Sequence, residues 1–279
     1  MNLRRFVLIA VSVIGAIFVF LLLTLCFIPD RELQSFAMRL LRQEGYSFRC
    51  AEFGKAFPLG VKATDLQITN DRGPLLTARE CVIRLRVLPL LAGKVSFTGQ
   101  AAIGGGHLLA NYSLRTGEAG VEARGIHLED LPFIHTITGA TVKGVARVHG
   151  RLKLKGKNSG GDMQLEVKGA NVAGVKIGGI PLPDAEYPTA QASLRGGGGI
   201  ISLTSFTLEG AGIYARLKGD MPLSQPLQNA PLNLTLEMMP KPEFLESQKF
   251  VFLLLAKYMT SPGHYQIPIR GTLSRPALS

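Results

Sequence analysis

The side chains able to do chemistry are scattered along this chain. Its five histidines, His107, His127, His135, His149 and His264, form no H-E-x-x-H run or other metal-ligand spacing. Gly104-Gly105-Gly106 and the four glycines at 196–199 open no helix that could hold a phosphate, and Lys94 after Gly93 lacks the upstream glycine of a P-loop. No G-x-S-x-G elbow is present. His127, Glu129 and Asp130 are close in sequence, and a loop with an N-cap at Leu128–Pro132 accounts for the acids more simply than a catalytic pair. The expectation is therefore a protein that is not an enzyme, with no catalytic residues, no metal, no cofactor and no small-molecule substrate. Arg147, His149, Arg151, Lys153 and Lys155 make a basic stripe without interleaved aromatics. That pattern predicts a solvated or lipid-headgroup surface, and no nucleic acid.

Two cysteines, Cys50 and Cys81, lie outside the N-terminal apolar run. Their spacing fits no metal motif, and they are candidates for one disulfide in an oxidising compartment. Asn111 and Asn233 head glycosylation-type triplets, which by themselves carry little weight.

What the sequence does organise is apolar surface. Met163, Leu165 and Val167 alternate with Gln164, Glu166 and Lys168, and Leu232, Leu234 and Leu236 alternate with Asn233, Thr235 and Glu237. Ile213, Ala215 and Leu217 alternate with Tyr214, Arg216 and Lys218. Val148, Leu152 and Leu154 share a face with Gly150, opposite the basic stripe. A period of two marks strands with one apolar and one wet face. Similar segments begin near residues 59, 75, 94, 107, 120, 174, 188, 200 and 264, separated by turn chemistry such as Asn70-Asp71-Arg72-Gly73 and Lys157-Asn158-Ser159-Gly160-Gly161. About a dozen mostly antiparallel strands are predicted.

Two short helices are predicted beside them. Leu33, Phe36, Ala37, Leu40 and Leu41 recur at helical spacing before Gly45, giving an amphipathic helix within 30–45 that caps the domain or lies at a membrane surface. A second helix is expected within 242–259, around Phe250–Ala256, too short to span a bilayer and buried by default. Two short helices cannot cover the apolar faces of a dozen strands. The sheet must close into a barrel or sandwich, or curl into a trough around something apolar. Leu85, Val148, Leu152, Leu154, Met163, Leu165, Val167, Leu232, Leu234 and Leu236 are the candidate groove lining, and an acyl chain is the natural occupant.

Residues 6–28, FVLIAVSVIGAIFVFLLLTLCFI, are uncharged and mostly apolar, and a helix of roughly 20 such residues crosses a bilayer. The run is longer than the core of a cleaved signal and ends in bulky residues without an A-x-A-like site, which favours an uncleaved anchor over a signal peptide. Leu25 is too large to precede a lipidated Cys26. Arg4 and Arg5 favour a cytoplasmic N-terminus, although Arg31, Arg39 and Arg42 follow the run. The organisation expected is a stub and anchor over 1–29, a helix over 30–45 and a β-rich domain over 46–279. Beyond the anchor the chain carries all 20 acidic residues and a formal charge of +9, which suits anionic head groups or acidic partners.

Three segments carry a family resemblance: FPLGVKATDLQI at 57–68, RLRVLPLLAGKVSFTGQAAIGGG at 84–106, and HYQIPIRGTLSRPAL at 264–278. Together they resemble the type II secretion system protein N family, in the long form found in deltaproteobacteria, and the wider AsmA-like group of membrane-anchored β-rich proteins. The shared grammar is an apolar anchor, a short helix, a proline-led strand with an acidic residue at its turn (Pro58, Asp65), and a corner at Leu90-Leu91-Ala92-Gly93-Lys94. The resemblance implies a single-pass bacterial inner-membrane protein with its bulk in the periplasm. It implies association with the type II secretion apparatus and, from the AsmA-like group, a β-trough that carries or shields membrane lipids. It transfers no functional residues. The fold class expected is mainly β: a transmembrane helix, then a large curled antiparallel sheet forming an AsmA-like trough or incomplete barrel. Function is expected to be that of a type II secretion component or accessory, with lipid binding or transfer as the alternative.

Overall fold

The computed structural model describes residues 27–43, 45–71, 73–153, 159–177, 179–222, 229–273 and 275–279. Nearly all of the expected anchor, and Leu154 with Lys155, lie outside them. Among the described residues no helix is long and apolar enough to cross a membrane.

The alternating segments pair as one large antiparallel sheet that does not close. Its strands are β1 (Ser47–Arg49), β2 (Glu52–Ala56), β3 (Gly60–Asn70), β4 (Gly73–Leu85), β5 (Ser96–Ile103), β6 (Gly106–Ser113), β7 (Glu118–His127), β8 (Thr141–Lys153) and β9 (Gly160–Ala173). A small hairpin of β10 (Lys176–Ile177) and β11 (Ile180–Pro181) follows. The sheet then continues through β12 (Ala185–Gly197), β13 (Ile200–Glu209), β14 (Ile213–Pro222), β15 (Asn233–Pro240), β16 (Met259–Ser261), β17 (His264–Thr272) and β18 (Arg275–Leu278). From β3 to β15 the sheet strands follow chain order as neighbours. One edge of the sheet is β1 with β2, both on β3, and the other is β16 with β18, both on β17. Hairpin connectivity makes this arrangement accessible from local turns, so contacts are mostly between strands adjacent in sequence.

There are more strands than the dozen the alternation predicts, because short edge pieces carry too little pattern to register. The helices also differ from expectation. α1 (Asp30–Gln43) forms where predicted and lies along the β1–β2 edge, its Asp30 carboxylate 3.7 Å from the Lys55 ammonium, with no residue fully buried. α2 (Val87–Leu91) is the corner between β4 and β5. α3 (Pro132–Thr138) was not expected, although Pro132 in its first turn and Gly139 as a left-handed cap are standard start and stop signals. It reaches back to the start of β4, where the Thr136 hydroxyl donates to the Pro74 carbonyl at 2.6 Å.

The single helix expected within 242–259 is three pieces: α4 (Pro242–Ser247), α5 (Lys249–Leu254) and a 3-10 turn at Ala256–Tyr258. The Ser247 hydroxyl donates to the Phe244 carbonyl at 2.8 Å, the kind of back-bond that bends a helix. Nor is the segment simply buried. Phe252, Leu255 and Tyr258 are inside, while Phe250, Leu253 and Leu254 face out. Asp65, expected at a turn, sits within β3 at φ 47°.

The candidate disulfide is absent, since Cys50 and Cys81 are both free thiols. Cys50 follows β1 on one side of β3, and Cys81 lies in β4 on the other. Two inter-strand spacings separate such positions by about 9–10 Å, beyond the ~7 Å that a disulfide spans between Cα atoms.

Candidate functional site

Antiparallel pairing puts directly opposed side chains on the same face, so register decides what each face presents. Starting from Phe53 in β2, one row runs through Ala63, Cys81, Ala101, Leu108 and Ala123 to β7. It continues through Val148, Leu165, Ala192, Phe206, Leu217 and Leu236 to Ile267 in β17. No polar side chain other than one thiol interrupts it. A parallel row one step along the strands holds Val61, Ile83, Gly99, Ala110, Val121, Gly150, Met163, Leu194, Leu203, Gly219, Leu234 and Ile269, ending on Leu278. Beyond it lie Leu85, Phe97, Tyr112, Ala119, Leu152, Gly161, Gly196, Ile201 and Met221. On the other side of the first row are Ile126, Ala146, Val167, Ala190, Leu208, Ala215, Met238 and Tyr265.

Burial grades across these rows. The Ile126–Tyr265 row is almost wholly inside, covered by Phe252, Leu255 and Tyr258 of the α4–α5 segment. Ile180 and Leu182 beside the β10–β11 hairpin, and Leu128 and Leu131 ahead of α3, pack on the same core. All these covering pieces belong to connections at one rim of the sheet. The opposite rim carries tight turns at 57–59, 114–117 and 198–199 and the α2 corner. Toward that rim the apolar side chains become half-buried, and Ile83 and Leu152 are 47% and 37% exposed. The face is roofed along one rim and part-exposed along the other from β4 to β13, and that second rim closes again at β14–β15, where Ala230 and Leu232 are buried.

The structure places the sequence candidates as follows. Val148, Leu165 and Leu236 share the first row, Met163 and Leu234 the second, and Leu85 and Leu152 the third, at the open rim. Val167 belongs to the roofed row, and Leu232, just before β15, is buried in the same core. The alternation missed Phe206, Leu203 and Ile201 of β13. A register shift between Leu203 and Phe206 puts both on the apolar face although they are three residues apart, which breaks the period-two signal.

From β5 onward the reverse face is mostly polar, while in β3 and β4 it also carries Leu66 opposite Ala78, Ile68 opposite Leu76, and the buried Val82. Lys62, Gln100, Glu122, His149, Gln164 and Ser193 share one row with Val82 and Leu109. A shallow concavity of about 520 Å³ lies there between Arg124, Arg147, His149, Glu166 and Thr207. The basic stripe of β8 faces acids on both neighbours. Lys153 opposes Glu118 and His149 opposes Glu122, while Arg147 opposes Glu166 and Arg151 opposes Asp162. Opposite charges across strands compensate one another, and the stripe presents little net positive field.

The His127–Glu129 neighbourhood is a structural tie. Glu129 accepts from the Gly144 N–H at 3.1 Å and lies 3.6 Å from the His127 ring. Its carboxyl is held below the ordinary range by its own backbone N–H first, and further by Gly144 and His127. Cys50 and Cys81 thiols are both pushed up by burial, the opposite of an activated nucleophile. Among the described residues no three His, Cys, Asp or Glu side chains are placed to hold a metal ion. No family model, curated protein or solved structure matches the chain.

Proposed function

We propose that this protein is a non-enzymatic, membrane-anchored β-trough of the bacterial envelope, anchored by residues 6–28 in the inner membrane, that shelters the acyl chains of lipid. The observation that carries this reading is the set of unbroken apolar rows on a sheet that does not close, half-covered on one side only. A monomer rarely leaves so long an apolar band part-exposed without an occupant. Twelve strand spacings of ~4.8 Å make the first row roughly 58 Å long. Each CH₂ withdrawn from water there contributes ~0.8 kcal/mol, so ten of them outweigh the lower estimates of association cost. The most exposed large apolar side chains among the described residues, Phe27, Phe57 and Leu88, all lie at the corner where α1 meets the open rim. That placement supports an α1 corner held close to the bilayer that the N-terminus enters.

The test is to extract the full chain gently and weigh its bound lipid by mass spectrometry. Bound phospholipid is expected from the wild type, and its loss from the Ile83→Glu/Leu152→Glu variant, whose sites are exposed enough to accept carboxylates without unfolding. A wild-type chain free of lipid would overturn the proposal.

A second reading, an accessory of the type II secretion apparatus, is favoured by where the family-like segments fall. Within 264–278 lies the edge strand β18 beside β17, while 57–68 includes β3, one strand in from the β1–β2 edge, and 84–106 includes the α2 corner and β5. Sheet edges are where a partner strand would add. On this reading, deleting the gene impairs export of secreted enzymes, and unchanged export of all of them would remove it.

A further inference from the structure

Pinned to the roofed core, α5 turns an apolar face outward. Phe252 is buried with its ring 5.2 Å from Tyr265 and 6.2 Å from Phe244, and Leu255 one turn on is fully buried. These anchors fix the helix so that Phe250 (71% exposed), Leu253 (69%) and Leu254 project from it, three and four residues apart on one side. Lys249 and Lys257 bracket them, both exposed, with the Lys257 ammonium 4.6 Å over the Tyr258 ring. From Ser247 to Ser279 the chain has no Asp or Glu and carries Lys249, Lys257, Arg270 and Arg275, the nearest acids in sequence being Glu243 and Glu246 of the preceding α4. An apolar tip flanked by lysines, in a stretch without acids, is the composition that seats in an anionic membrane interface. A protein groove would be expected to meet the same patch with fewer bracketing charges, since charged residues are depleted in the core of protein interfaces.

We propose that the Phe250–Leu253–Leu254 face of α5 is a membrane-docking surface that inserts into the interface of a bilayer bearing anionic lipid. It lies at the C-terminal edge of the sheet, beside β15 and β17, whereas α1 lies along the opposite edge. The contact is therefore distinct from the N-terminal anchor and does not depend on lipid occupying the apolar face.

The chain contains no tryptophan, so Phe250→Trp creates a single fluorescent reporter. The full-length variant is reconstituted into vesicles of brominated phosphatidylcholine with or without phosphatidylglycerol. With phosphatidylglycerol, emission is expected to move to shorter wavelength and be quenched by the bromine. Adding Lys249→Glu and Lys257→Glu should weaken the phosphatidylglycerol dependence about tenfold or more. A control reporter at Thr77→Trp, exposed in β4, should stay solvent-like throughout. An unshifted Phe250→Trp signal in both vesicles overturns the proposal. So does a shift that needs no vesicles and follows protein concentration in sedimentation, which would make the patch a contact between copies. Should the N-terminal anchor itself fail, the chain would leave phosphatidylcholine vesicles while the phosphatidylglycerol response persisted, so the two failures read differently.

Discussion

Tyr187 shows how a single side chain couples the core to pH. It sits in β12 almost wholly buried, and desolvation pushes its hydroxyl up to about 12. In the unfolded chain a tyrosine ionises near pH 10. Below that pH both states hold the proton and nothing changes. Above it the unfolded state ionises first and gains, so stability falls as pH rises from 10 through 12. The loss is about 1 kcal/mol by pH 11 and approaches about 3 kcal/mol at the upper end. Urea midpoints at pH 9 and pH 11 should separate, and Tyr187→Phe should narrow the gap. Gly219, by contrast, shows why some positions in the apolar rows carry no side chain. It sits at φ 142°, and a Cβ there would collide with the Asn233 carbonyl oxygen, so the row closes over bare backbone at that strand.

At the level of elements, the α4–α5 segment divides its side chains between two tasks. Phe252→Ala removes a ring packed between Phe244 and Tyr265 and should cost about 3–5 kcal/mol, read from urea unfolding. Phe250→Ala, two residues earlier and on the exposed side of the helix, should stay within about 0.5 kcal/mol. The sequence pattern of this segment, an apolar run from Phe250 to Leu255, does not separate these roles. Its residues are equally greasy, and only the position of β17 beneath the helix decides which of them are covered. α3 was missed for a related reason. Seven residues give less than two turns of periodicity, too little to stand out from a loop, even with Pro132 and Gly139 at its ends.

For the molecule as a whole, the gradient from roofed to open rim makes a prediction no single strand makes. Val167→Asp places a carboxylate in the roofed row with no partner and should unfold the domain or cost about 3 kcal/mol or more. Leu152→Asp, on the same face one strand away at the open rim, should leave thermal stability nearly unchanged. Thermal melts of the two variants check this directly. Equal damage from both would mean that the face is closed in solution. The gradient also bears on the proposed lipid site, because substitutions at the open rim alter the apolar face without removing the core that holds the sheet together.

Alternation in segments such as Met163–Lys168 and Ile213–Lys218 was enough by itself to determine a β-rich chain with one greasy and one wet face, because the strand period is a local property of the backbone. The scatter of His107, His127, His135, His149 and His264 was likewise plain from sequence. The tertiary structure alone decided that the sheet stays open, that Cys50 and Cys81 lie two strands apart, and that β13 keeps its apolar phase through a register shift. It alone decided that one rim is roofed and that the other stays part-exposed from β4 to β13. These outcomes depend on register and on which connections fold back over the sheet. Both are set by contacts between residues distant in sequence, which no period along the chain records.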